Sequence, residues 1–124
     1  MHKIIEDLNW RYATKKFDAS KKISSSDLEV IKESLRLTPS SYGLQPLQFL
    51  IVESVAIRQQ LIPASYGQQQ IADASHLIVI CAYSDLTDDH VDAYVDNVIS
   101  TRNSDPEAVK NYGGFMKKTF AEMT

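Results

Sequence analysis

The stretch that decides the fold is QFLIVESVAIRQQLIPASYGQQQIADASHLIVICAY, residues 48–83. Residues 48–53 and 76–83 carry continuous apolar runs, Phe49 to Val52 and Leu77 to Ala82, rather than alternating ones. Continuous runs of that length predict strands buried on both faces. Between them, residues 55–61 read as helix, the helix breaks near Pro63, and residues 68–74 offer a second short helix. Two buried strands joined by helix imply a β-α-β type of arrangement, in which sheet and helices share a core. Neither run approaches the length needed to span a bilayer.

Working outward toward the N-terminus, Ile4, Ile5 and Leu8 stand at helical spacing and predict a short helix that stops near Arg11. Leu28, Ile31 and Leu35, with Val30 beside them, form the apolar stripe of a second helix over residues 24–37. Either Ser24 with Asp27 or Ser26 with Glu29 can form its capping pair. Pro39 ends it, because the residue before a proline is pushed out of the helical region.

Toward the C-terminus, Val91, Tyr94, Val95, Val98 and Ile99 define an amphipathic helix over residues 88–101, opened by Thr87, Asp88 and Asp89. A last helix starts at Asp105 with Pro106 in its first position and carries Val109, Tyr112, Met116, Phe120 and Met123 on one side. Gly113 and Gly114 interrupt that pattern, each weakening a helix by about 1 kcal/mol relative to alanine.

A chain of 124 residues, 44% hydrophobic and 23% charged, fits one globular domain. Its formal net charge of −3 gives no general attraction to nucleic acid or to an anionic membrane, so neither is an expected partner. The single cysteine, Cys81, excludes an internal disulfide and fits a reducing compartment, with the cytoplasm as the default. Residues 1–11 lack the long apolar run of a signal peptide. His2, His76 and His90 do not stand at metal-ligand spacing to one another or to Cys81, so no metal site is expected. Nucleophile elbow, Walker loop and dinucleotide glycine fingerprint are all missing, and no residue is singled out as a catalytic acid, base or nucleophile.

Three segments carry groups that could hold a ligand. In RYATKKFD, residues 11–18, Arg11 can grip two phosphate oxygens at once while Lys15 adds a point charge, although a few basic residues in a loop are usually just solvated. PSSYGLQP, residues 39–46, offers Ser40, Ser41 and Gln45 as hydrogen-bonding groups and Gly43 for a positive φ or a close approach. Read by itself it is also an ordinary helix-to-strand connection. YGQQQ, residues 66–70, places three amides after a glycine, and amides can read the edge of a pyrimidine-like ring or simply face water.

Taken in order, RYATKKFD, PSSYGLQP, QFLIVE, YGQQQ and DASHLIVICA resemble the nitroreductase family over residues 3–83. The helix over 88–101 and the ending YGGFMKKTFAEM are similar to a subgroup of NAD(P)H-dependent nitroreductases and dihydropteridine-reductase-like enzymes. The resemblance implies an α+β fold, a mixed β-sheet flanked by helices, assembled as a homodimer with FMN bound at the subunit interface. It makes residues 1–124 a single nitroreductase-like domain incomplete at its C-terminus, and leaves the strand edges and the faces of the last two helices without cover.

By position, the resemblance assigns Arg11, Tyr12, Ala13 and Lys15 to the FMN phosphate and ribityl chain. Ser40, Ser41, Gly43 and Gln45 would line the flavin, and Gln68 and Gln70 would face its pyrimidine edge. Tyr42 and Tyr66 would border the substrate. Ala13 stands where many relatives carry a phosphate-binding serine, and Gln70 where some carry a lysine. The function implied is electron transfer from NAD(P)H through FMN to nitroaromatic, quinone or related flat acceptors. The alternative is a truncated, non-catalytic fragment that binds flavin weakly or only associates with partners.

Overall fold

The computed structural model describes residues 2–123. In chain order it contains α1 (Lys3–Trp10), α2 (Ser25–Arg36), β1 (Leu47–Val52), α3 (Val55–Leu61), α4 (Gln70–Asp73), β2 (Leu77–Ala82), α5 (Asp88–Arg102) and α6 (Pro106–Ala121). Single 3-10 turns occupy Ser41–Gly43 and Pro63–Ser65. The architecture is α+β, with β1 and β2 paired in a two-stranded sheet among the described residues.

The strand pair is antiparallel. Just before β1, Pro46 accepts a hydrogen bond from the Tyr83 N–H, just after β2, at 3.0 Å. At the other end Glu53 follows β1 and its carboxylate lies 3.9 Å from His76, which precedes β2. Burial on both strand faces is not what the structure gives: Leu50 is 45% and Ile80 63% exposed. The reason is that these apolar side chains point away from the covered face, so continuity of the run reports apolar character and not double burial.

Contacts divide the chain into two compact units, Met1–Ile31 with Leu50–Val79, and Lys32–Phe49 with Ile80–Thr124. In the first unit, α1 follows the periodicity of Ile4, Ile5 and Leu8 but buries no residue. The capping alternatives for α2 resolve to Ser24 with Asp27. The Ser24 hydroxyl accepts the Asp27 N–H at 3.0 Å and donates to the Asp27 carboxylate at 2.7 Å, satisfying an end group that the helix cannot pair itself. Ser54 caps α3 in the same manner through the Ile57 N–H. The buried residues here are Leu28, Ala72 and the charged Arg58.

The second unit is built on α5 and α6. Leu44, Val91, Val95 and Met116 form its buried core, with Tyr94, Ile99, Val109 and Phe120 packed against it. The faces of the last two helices cover each other in part: Val91, Val95 and Met116 are buried between them, while Tyr112 and Phe115 stay 41% and 55% exposed. Gly113 does not interrupt α6 either. The helix runs through it, and a Cβ at this position would stand 2.7 Å from Val95 Cγ2, so the missing side chain is what lets the two helices approach. Asn103 closes α5 in a left-handed conformation, and the Asp105 carboxylate caps α6 by accepting the N–H groups of Glu107 and Ala108. Lys117 reaches Asp92 across the pair at 2.7 Å.

Candidate functional site

Within the first unit, the basic segment leaves α1 at Arg11, whose backbone N–H closes the helix on Asp7. Arg11, Tyr12, Ala13 and Lys15 are all exposed. Neither the Arg11 guanidinium nor the Lys15 ammonium has a hydrogen-bond or ion-pair partner among the described residues, so both charges are available to an external anion. At the end of the segment, the Ser20 hydroxyl and then its N–H donate to Asp18 and hold that carboxyl below the usual aspartate range.

The glutamine turn has a specific division of labour. Tyr66 and Gly67 both take left-handed backbone, which turns the chain sharply after the Pro63–Ser65 turn and leaves Tyr66 96% exposed. Gln69 spends its side-chain amide on Asp73 within α4, at 3.1 Å. The amides of Gln68 and Gln70, on either side, make no bond among the described residues. Gln69 keeps its amide oxygen free, so the difference between the three glutamines lies in the one donor that Gln69 gives to Asp73.

One residue near this turn was not singled out from the sequence. Arg58 on α3 is fully buried. Its Nη1 donates to the carbonyls of Ala74 and, at 3.5 Å, Ile71, while Nη2 donates to the Glu53 carbonyl at 3.3 Å. Nε has no partner. The signal was present: Arg58 is the sole charged side chain between Glu53 and Asp73.

Within the second unit, the loop over residues 39–46 takes an uncommon backbone. Tyr42, Gly43 and Gln45 all have positive φ, at 57°, 76° and 48°. Left-handed conformations at residues other than glycine are held only where the surroundings over-determine them. Here the Gln45 N–H is received by Ser40 Oγ at 2.8 Å, and the Leu44 carbonyl accepts His90 Nε2–H at 3.0 Å, from α5. The His90 ring in turn stands perpendicular to that of Tyr83, with centroids 5.2 Å apart. Ser40, Gly43 and Gln45 come together on a cleft of about 390 Å³ that Tyr94, Asn97 and Arg102 of α5 complete. Ser41 is exposed beside it, while the Tyr42 ring packs edge-on against Phe120 at 5.5 Å.

A larger, apolar cleft of about 440 Å³ in the first unit, walled by Phe17, Ile23, Leu28, Ile31 and Ile78, holds none of the residues predicted to bind cofactor or substrate. Among the described residues no group of three or more His, Cys, Asp or Glu is placed to hold a metal ion. No helix among them is long and apolar enough to cross a membrane.

An antiparallel strand pair among helices is also the frame of a known family of proteins. The model of the nitroreductase family matches residues 8–117, and the chain belongs to that family. A protein of Staphylococcus saprophyticus named "Putative NAD(P)H nitroreductase" is 44% identical over 98 residues, covering 77% of this chain and 45% of its own length. The chain spans about half the length of the curated relatives it matches. Among solved structures, a nitroreductase-like protein of Streptococcus mutans superposes with a TM-score of 0.84 at 14% identity, over 99% of this chain and 59% of the other. A nitroreductase of Exiguobacterium sibiricum, described as putative and solved in complex with FMN, superposes with a TM-score of 0.73 at 22% identity, over 94% and 56%.

Proposed function

We propose that this chain serves an FMN-dependent oxidoreductase that passes electrons from NAD(P)H to nitroaromatic compounds, quinones or similar flat acceptors. The observation that carries the reading is the glutamine turn: Gln69 is tied to Asp73, and the flanking amides of Gln68 and Gln70 are left for an external hydrogen-bonding edge. The donor set fits FMN in kind. Arg11 supplies a planar fork and Lys15 a point charge for the phosphate, with the backbone of Tyr12 and Ala13 between them. Ser40, Ser41 and Gln45 supply neutral hydrogen-bonding groups for a polar heterocycle, and Gly43 lets the chain pass close beneath it.

A bound FMN would supply the redox chemistry that links a nicotinamide donor to the acceptor. The residues of this chain do the positioning. Arg11 and Lys15 would hold the charged end and the amides of Gln68 and Gln70 would face the ring's polar edge, while Tyr42 and Tyr66 are each proposed to border a flat acceptor. Ala13 brings no hydroxyl, so one phosphate bond of serine-bearing relatives is missing. The FMN-bound Exiguobacterium neighbour and the relatives named for NAD(P)H support the reading. It carries with it a homodimer in the cytoplasm, with a small-molecule acceptor as the other partner.

The test is titration of the chain with FMN, followed by visible absorbance and flavin fluorescence, and then by NAD(P)H oxidation with a quinone. Quenched, yellow protein, ping-pong kinetics and weaker binding in Arg11→Ala are expected. A colourless protein that FMN cannot reconstitute overturns the proposal and favours a non-catalytic fragment.

A further inference from the structure

We infer that Arg58 is a positioning residue for the glutamine turn, a buried brace that sets where Gln68 and Gln70 present their amides. The chain leaves β1 at Glu53 and re-enters the sheet after Ala74, and everything between is an excursion carrying α3, the Pro63–Ser65 turn, Tyr66, Gly67 and α4. Arg58 joins the two ends of that excursion. One nitrogen of its guanidinium donates to Glu53 at the departure, and another to Ile71 and Ala74 at the return.

Helix ends leave carbonyls without partners, and a cation there also meets the negative end of the helix dipole. At four residues, α4 can pair few of its own backbone groups, so the guanidinium satisfies much of its C-terminal end. The charge is fully buried and meets three carbonyls but no carboxylate among the described residues. A buried cation so held is costly to displace, because its desolvation is offset only by these directed bonds. Planarity matters as well. A guanidinium can serve carbonyls on two sides of its plane edge at once, whereas a lysine ammonium at the same depth is a single point. Gln70 opens α4 and Gln68 lies two residues before it, so a shift of α4 against the end of β1 moves both amides.

The inference rests on the proposed flavin role of that turn, and the experiment separates the two. Wild type, Arg58→Lys, Gln70→Ala and the double variant are compared as full chains by FMN titration, the shape of the bound flavin's visible bands, far-ultraviolet circular dichroism and amide exchange over residues 66–74. Expected is a folded Arg58→Lys with faster exchange in that segment, FMN affinity reduced about tenfold, and altered flavin bands resembling those of Gln70→Ala. The double variant should bind no more weakly than the weaker single one, since both changes act on the same contact. Should Arg58→Lys fail to fold, Arg58→Gln, which keeps donors but no charge, takes its place with the same expectations.

A folded Arg58 variant with wild-type affinity and bands, beside a weakened Gln70→Ala, overturns the positioning role and leaves the flavin reading intact. Losses that add in full in the double variant overturn it too. If Gln70→Ala itself binds FMN as wild type does, the flavin role of the turn fails first, and the inference about Arg58 falls with it.

Discussion

Gly113 of α6 lies so close to Val95 of α5 that a side-chain carbon would come within 2.7 Å of Val95 Cγ2, and Val95 is itself buried in the core. Its neighbour Gly114 meets nothing within 4 Å. The two glycines therefore answer alanine in opposite directions. Gly114→Ala should raise stability by about 1 kcal/mol through helix propensity alone. Gly113→Ala gains the same propensity but forces an overpacked contact, so a net loss of roughly 1–2 kcal/mol is expected. Urea unfolding of both variants checks this, and equal effects would remove the close-approach explanation.

Gly43 combines a φ of 76° with an approach to the Tyr94 hydroxyl that would leave 2.7 Å for a Cβ. The left-handed backbone costs a non-glycine residue about 1–2 kcal/mol whatever the space. Gly43→Ala should be destabilised by at least that amount. Adding Tyr94→Phe removes the hydroxyl but not the backbone strain, so thermal unfolding of the double variant should show partial recovery. Full recovery would mean that contact, not φ, sets the cost.

Asp18 titrates below the ordinary aspartate range because Ser20 donates to it through its hydroxyl first and its N–H second. A carboxyl whose pKa is lowered on folding adds stability above its unfolded value and loses it as pH falls through the folded value. Ser20→Ala should move the Asp18 titration, read by NMR, upward toward the ordinary value and bring acid destabilisation to a higher pH. An unmoved titration would show that the hydroxyl is not the cause.

Gln70 offers a neutral amide, and reduced flavin gathers negative charge at the edge that Gln70 is proposed to face. An ammonium stabilises that charge more than an amide does. On the proposed reading, Gln70→Lys should raise the bound flavin's midpoint potential by about 30 mV or more, equivalent to roughly tenfold tighter binding of the reduced form. Potentiometric titration with a reference dye decides it. No upward shift would count against placing Gln70 at that edge.

Much of the secondary structure was legible because it rests on local chemistry. Residues 55–61 read as helix and α3 is Val55–Leu61; Pro106 opens α6 as its fixed φ suggests. The strands fall within a residue of their expected ends. What sequence could not give was who lies opposite whom. Gly113 looked like a helix breaker because its value depends on Val95, eighteen positions away and on another helix. Leu50 and Ile80 looked doubly buried because an apolar run does not say how many faces are covered. Arg58 was not singled out, because its partners are backbone carbonyls, which carry no side-chain signature. In the glutamine turn, residue type was readable in Gln68, Gln69 and Gln70, while the tie of Gln69 to Asp73 is a matter of rotamers.

The pairing of α5 with α6 has a kinetic side. The helices are joined by a short link in which Asn103 turns the chain and Asp105 starts the next helix, so their mutual contacts bridge only a few tens of residues at most. Closing the three-residue link between α5 and α6 takes less chain entropy than closing the 24 residues between β1 and β2. This helical hairpin is thus the natural nucleus of folding: φ-values near one at Val95 and Met116, with values near zero at Leu50, would mark it, and the reverse pattern would move the nucleus to the sheet.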